Sequence, residues 1–118
     1  MKLLPQEIEV WYLIPSIRRE LTKILISKGK NQKEVSKILG LTESAVSQYL
    51  NGKRADEVNF NKNEIKIIEK YANKILIEKD VQMVLFDLTK ELSGSKSICD
   101  VHKKYDSNID KNCNICKR

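Results

Sequence analysis

Residues 41–54, LTESAVSQYLNGKR, decide how the chain is read. Val46, Tyr49 and Leu50 fall at helical spacing and predict one buried face. Ser44, Ser47, Gln48 and Asn51 recur at the same spacing on the opposite face and are polar without charge. A solvated helix face usually carries Lys and Glu. This one offers short hydroxyls and amides, with Lys53 and Arg54 just past its end.

The preceding stretch, NQKEVSKILG (residues 31–40), has the signals of a second short helix. Asn31 can cap orphan amides and Glu34, three residues on, can reach back to complete a capping box. Val35, Ile38 and Leu39 form its apolar face. Gly40 suits the left-handed conformation that ends a helix, so that Leu41 drops into the core. Thr42 then caps a helix at about residues 42–50, with Glu43 in its first turn. Asn51-Gly52 closes that helix. Two short helices joined by a glycine turn describe a helix-turn-helix.

Outside this unit the pattern stays helical. PQEIEVWYLIP reads as a short helix or turn, with Trp11 and Tyr12 as core anchors and a dimer contact as their other use. Pro15 either begins the next helix or kinks a longer one. In SIRRELTKILISKG, Ile17, Leu21, Ile24 and Leu25 form one stripe, and Gly29 is a stop. Residues 55–61 read as a polar connection. KNEIKIIEKYANKILIEKD predicts a long amphipathic helix, and VQMVLFDLTKEL another with Val81, Val84, Leu85, Leu88 and Leu92 on one side. SGSKS reads as a flexible joint. The expected fold is therefore all-α. Residues 1–93 form a helical domain whose C-terminal helices support dimerisation, and 94–118 form a cysteine-rich tail.

The net charge of +6 is unevenly spread. Six basic and two acidic residues between 28 and 54 give +4, and six basic and three acidic residues between 95 and 118 give +3. Residues 55–94 are net acidic. A basic patch points toward a polyanion. No apolar run reaches the roughly 18 residues that span a bilayer. The start lacks a basic leader and a small-residue cleavage site, so the expected compartment is the cytoplasm.

The tail CDVHKKYDSNIDKNCNICKR holds all three cysteines and the only histidine. Cys99-x2-His102, ten residues, then Cys113-x2-Cys116 offers four soft or borderline ligands in two close pairs. Tetrahedral zinc takes thiolate and imidazole at such spacings. An iron–sulfur cluster is the alternative for the same ligands. Three cysteines leave one odd, and a reducing compartment disfavours disulfides. The tail carries so few apolar residues that its order is expected to come from bound metal.

QKEVSKILGLTESAVSQYLNGK resembles the helix-turn-helix of lambda-repressor-like, Xre-type transcriptional regulators. Residues 5–54 further resemble a group of short archaeal Xre-like regulators that carry a cysteine-rich C-terminus. Ser36 departs from the Ala that the family prefers at the helix crossing, which Val46 locks from the second helix. The resemblance implies double-stranded DNA as partner and a homodimer spanning two half-sites. Taken alone, the row of 44, 47, 48 and 51 is a wet surface, but the two-helix pattern with its basic flank points to base edges in the major groove. Gln48 can bond adenine N6 and N7, Ser44 and Ser47 can reach bases directly or through water, and Ala45 can touch a thymine methyl. Asn51 belongs to the same row. By resemblance, Gln32 and Thr42 face phosphates, with Lys53 and Arg54 adding charge. The competing function is a protein-interaction adaptor of a transcription complex that uses a zinc knuckle. An enzyme is not expected, because there is no nucleophile–base pair and four protein ligands would close a zinc site.

Overall fold

The computed structural model describes residues 3–55, 57–78, 80–106 and Cys113. Seven α-helices follow in chain order among them: α1 Pro5–Ile8, α2 Ile14–Ser27, α3 Gln32–Leu39, α4 Glu43–Leu50, α5 Lys62–Ile77, α6 Val81–Leu92 and α7 Lys96–Tyr105. A π-helical segment, Glu9–Leu13, joins α1 to α2 without a break in the winding. The described residues contain no strand.

That π segment is where Pro15 is accommodated. Proline has no N–H for the carbonyl of the preceding turn, and its ring crowds that carbonyl. Widening the helix just upstream relieves the conflict, and the Ile14 amide donates five residues back to the Glu9 carbonyl. The helix therefore continues from Pro5 to Ser27, carrying Ile8, Leu13, Ile17, Leu21 and Leu25, each at most 2% exposed. Burial of side chains this size contributes about 1.5–3 kcal/mol apiece. Around this stripe α2 packs on α3, α4 and α5, and α5 on α6.

The short helices are set by their caps. Asn31 Oδ1 accepts from the Glu34 backbone amide at 2.8 Å, and the Asn31 backbone amide donates to Glu34 Oε1 at 3.1 Å. Gly40, at φ 67°, turns the chain, and the Leu41 amide donates to the Ser36 carbonyl at 2.9 Å. Thr42 Oγ1 accepts from the Ala45 amide at 3.0 Å. Gly40 is the residue for which a left-handed backbone carries little steric cost.

Four expectations are corrected. Trp11 is 51% exposed rather than a core anchor, because the π segment turns Leu13 inward in its place. Tyr12 is half-buried and stacks on Tyr105, with ring centroids 4.9 Å apart. Residues 55–61 are more than a polar connection: Val58 is fully buried, and Arg19 donates to the carbonyl oxygens of Ala55 and Val58, the latter at 2.8 Å. The first half of the tail orders through its own contacts, with Ile98, Val101 and His102 of α7 buried against α1 and the π segment. The expected joint at 93–97 is a tight turn in which the Ser95 amide donates to the Leu92 carbonyl at 3.0 Å.

Side chains of α7 and of Asp106, which ends it, tie α7 to Leu3 and to α5. Asp106 Oδ2 accepts from the Leu3 amide at 2.8 Å, and His102 Nε2 lies 2.6 Å from the Leu3 carbonyl. Glu64 is 4% exposed; it completes a capping box with Asn61 on α5 and accepts from the hydroxyl and amide of Ser97 on α7. Burial pushes the Glu64 carboxyl up, but these hydrogen bonds outweigh it and hold it, net, below the ordinary carboxylate value. A group lowered in the folded state contributes stability that is complete above its unfolded pKa, about 4.3, and is lost as the pH falls through its folded value. Glu64→Gln is therefore expected to be less stable than the parent at pH 7, with the difference shrinking below about pH 4. Urea unfolding at a series of pH values checks this; a gap that stays constant to pH 3 would contradict it.

Candidate nucleic-acid interface

The face of α4 divides as its sequence suggests. Val46 and Tyr49 are buried, at 0% and 3% exposure, and Leu50 is half-buried. Ser44, Gln48 and Asn51 are exposed and Ser47 is half-buried. Asn51 Nδ2 donates to Ser47 Oγ at 3.4 Å, a long contact that leaves the amide oxygen available. These four residues form a row about one turn apart, offering hydroxyls and amides to whatever lies against the helix.

Ala45 is the correction. At 7% exposure its methyl belongs to the packed side of α4, so it is not accessible to a thymine methyl. Its spacing is one residue from both Ser44 and Val46, the boundary between the two faces, and sequence periodicity alone does not assign such a position.

Gln32 is exposed at the first position of α3 and Thr42 is exposed as the cap of α4. Both stand at helix N-termini, where amide dipoles favour anions. Asn51 ends α4, and the Lys53 amide donates to the Gln48 carbonyl at 3.0 Å, which folds the basic pair back beside the helix. Lys53 and Arg54 are exposed, and the Arg54 guanidinium lies 5.6 Å from the Tyr49 ring centre. A cation over an aromatic face gains about 0.5–1 kcal/mol at an exposed site, enough to bias Arg54 toward the end of α4. Lys33 and Lys37 are also exposed, one turn apart on α3. Within 28–54, the described residues show one ion pair, Lys30 to Glu34 at 3.9 Å, so most of the +4 is unneutralised. Glu43 is the exposed acidic residue in the first turn of α4.

Residues 21–56 match the family model described as Helix-turn-helix. The matched stretch begins inside α2, runs through α3 and α4, and ends within the loop that Arg19 holds. No curated protein and no solved structure matches the chain. The helix-turn-helix unit is thus a three-helix support, α2, α3 and α4, presenting one uncharged hydrogen-bonding row. Arg19 is the residue that sequence reasoning missed. The sequence carries little signal for it, because Arg19 lies on the side of α2 opposite Ile17 and Leu21, and only its burial shows that a cation there needs acceptors nearby.

The expected metal ligands stand further from assembly. Cys99 is half-buried on α7, with Sγ 3.5 Å from the Gly94 carbonyl, and His102 is buried one turn later. Cys113 is half-buried, and Cys116 lies outside the described residues. Among the described residues no group of three or more His, Cys, Asp or Glu side chains is placed to hold a metal ion. A carbonyl only accepts, so His102 Nε2 donates in its contact with Leu3. Histidine ligands to metals characteristically donate their other ring N–H to such a carbonyl, so the chemistry of His102 is compatible with a ligand role. No helix among the described residues is long and apolar enough to cross a membrane.

Proposed function

We propose that the protein is a sequence-specific DNA-binding transcriptional regulator that inserts α4 into the major groove. The observation that carries this reading is the uncharged row of exposed Ser44, Gln48 and Asn51 with half-buried Ser47, flanked by exposed Lys53 and Arg54 within a matched helix-turn-helix. Charged carboxylates would be repelled by phosphate, whereas hydroxyls and amides pair with base edges. Binding as a homodimer follows the same reading, since two recognition helices about 34 Å apart address successive major grooves. The exposed Val10 and Trp11 on the π segment are apolar groups fit for a twofold contact.

The test is selection from randomised duplexes followed by titration at several salt concentrations. A single enriched motif, bound with an affinity that falls linearly on a log–log salt plot, is the expected result. No enriched motif and a flat salt response would favour the adaptor function instead.

Within this proposal the tail binds one zinc through Cys99, His102 Nδ1, Cys113 and Cys116, where the metal would supply tetrahedral cross-linking and no catalysis. The ligand spacing and the Nε2–H contact to Leu3 support it. Elemental analysis with a visible spectrum of anaerobically purified protein is expected to give one colourless zinc per chain. Brown protein with iron and sulfide would make it a cluster, and metal-free protein would remove the site.

A further inference from the structure

Between the continuous N-terminal helix and α6 lies a groove of about 640 Å³ that the DNA-binding reading does not use. Its walls include Ile14, Ile17, Leu85 and Phe86, with Glu9 and Arg18 at its polar margins. This volume falls within the range of small-molecule sites, roughly 300–1,000 Å³. Ser93 Oγ donates to Glu9 Oε1 at 2.6 Å, which ties the end of α6 to the π segment and satisfies one carboxylate oxygen. Lys90, one turn before Ser93, lies near the same end, with its ammonium 5.8 Å from the Phe86 ring centre.

Arg18 stands nine residues beyond Glu9 on the same helical run, about 13 Å away at 1.5 Å per residue. It is half-buried, and among the described residues no acceptor bonds its guanidinium. A partly desolvated cation at the end of an apolar trough is complementary to one ligand form: an anionic head with an apolar body. We infer that this groove binds an amphipathic organic monoanion, its carboxylate on Arg18 and its hydrocarbon along Ile14, Ile17, Leu85 and Phe86. A second copy of the chain is a poorer occupant. Twofold pairing over the groove would bring two Arg18 and two Lys90 side chains together with only two Glu9 carboxylates, each already accepting from Ser93, and the excess of like charge opposes association. Because α2 forms one wall and also packs on α4, the ligand lies one helix away from the proposed reading face.

The probe is 1-anilinonaphthalene-8-sulfonate, an apolar aromatic anion that fluoresces when shielded from water, competed with decanoate or with 1-decanol. The expected result is saturable binding of one probe per chain, with decanoate displacing it at concentrations about tenfold lower than decanol, the usual scale of a charge-assisted hydrogen bond. Arg18→Gln should erase that tenfold preference while leaving decanol displacement unchanged. Thr89→Trp, which fills the trough, should weaken both competitors, with an unaltered circular dichroism melt showing that the fold is intact. Absence of saturable binding, or equal displacement by decanoate and decanol in the parent protein, overturns the proposal. So does loss of probe binding as protein concentration rises, because that means a second copy covers the groove. None of these readouts involves DNA, so failure here and failure of the DNA-binding reading are separable.

Discussion

Arg19→Ala is expected to lower the unfolding free energy by about 2–4 kcal/mol, the largest loss of any single polar substitution considered for this chain. Arg19 is 7% exposed and donates to the carbonyls of Ala55 and Val58, with Glu20 Oε1 at 3.1 Å balancing its charge and the Phe60 ring 6.0 Å away. Hydrogen bonds to a charged group contribute about 1.5–3 kcal/mol each, and deleting the donor leaves the Ala55 and Val58 carbonyls without it. Partial rehydration of the loop keeps the estimate below the sum. Ala55 sits at φ 60°, a conformation that non-glycine residues adopt only when their surroundings impose it, and the Arg19 bond is that constraint. Ala55→Gly is accordingly expected to be neutral or slightly stabilising. Urea unfolding followed by circular dichroism measures both. A loss under about 1 kcal/mol for Arg19→Ala would mean that the loop is held by Val58 burial alone.

Gln48→Ala is expected to weaken binding to the selected duplex by about 1–3 kcal/mol, or some 5–150-fold, while leaving affinity for random DNA nearly unchanged. A two-pronged amide contact to adenine is made or lost as a unit, and its loss relaxes the preference at one base pair. Lys53→Ala and Arg54→Ala should behave differently. Each removes a phosphate contact, so affinity falls on all sequences alike and the salt slope decreases by about one unit per residue. Separating the two patterns distinguishes base readout from charge. Equal losses on selected and random DNA for Gln48→Ala would remove Gln48 from the reading row.

The helix-turn-helix was legible in the sequence because its signals are local. Asn31 with Glu34, Gly40, Thr42 and Asn51-Gly52 act within a few residues of themselves, and the structure has each of them at the expected helix end. What escaped is non-local. The Arg19 clamp joins positions thirty-nine residues apart, and the His102 and Asp106 contacts to Leu3 span the chain almost end to end. No periodicity encodes such pairings. Trp11 was misplaced for a related reason: the π segment adds an offset to the helical phase, so a stripe extrapolated at 3.6 residues per turn points the wrong side chain inward. Ala45 failed at the boundary between two faces, where one side chain's tilt decides exposure. For the tail, counting apolar residues underestimated how far two anchors, Ile98 and Val101, suffice when a preformed surface receives them.

The account turns on α4 lying in a major groove with its uncharged row against the bases. Replacing single purines of the selected duplex by their 7-deaza counterparts, which lack only the N7 acceptor that the major groove displays, tests this most directly. The account predicts at least one position where the replacement weakens binding by about 1 kcal/mol or more, and predicts that Gln48→Ala no longer senses it. Uniform affinity across every 7-deaza position would contradict it.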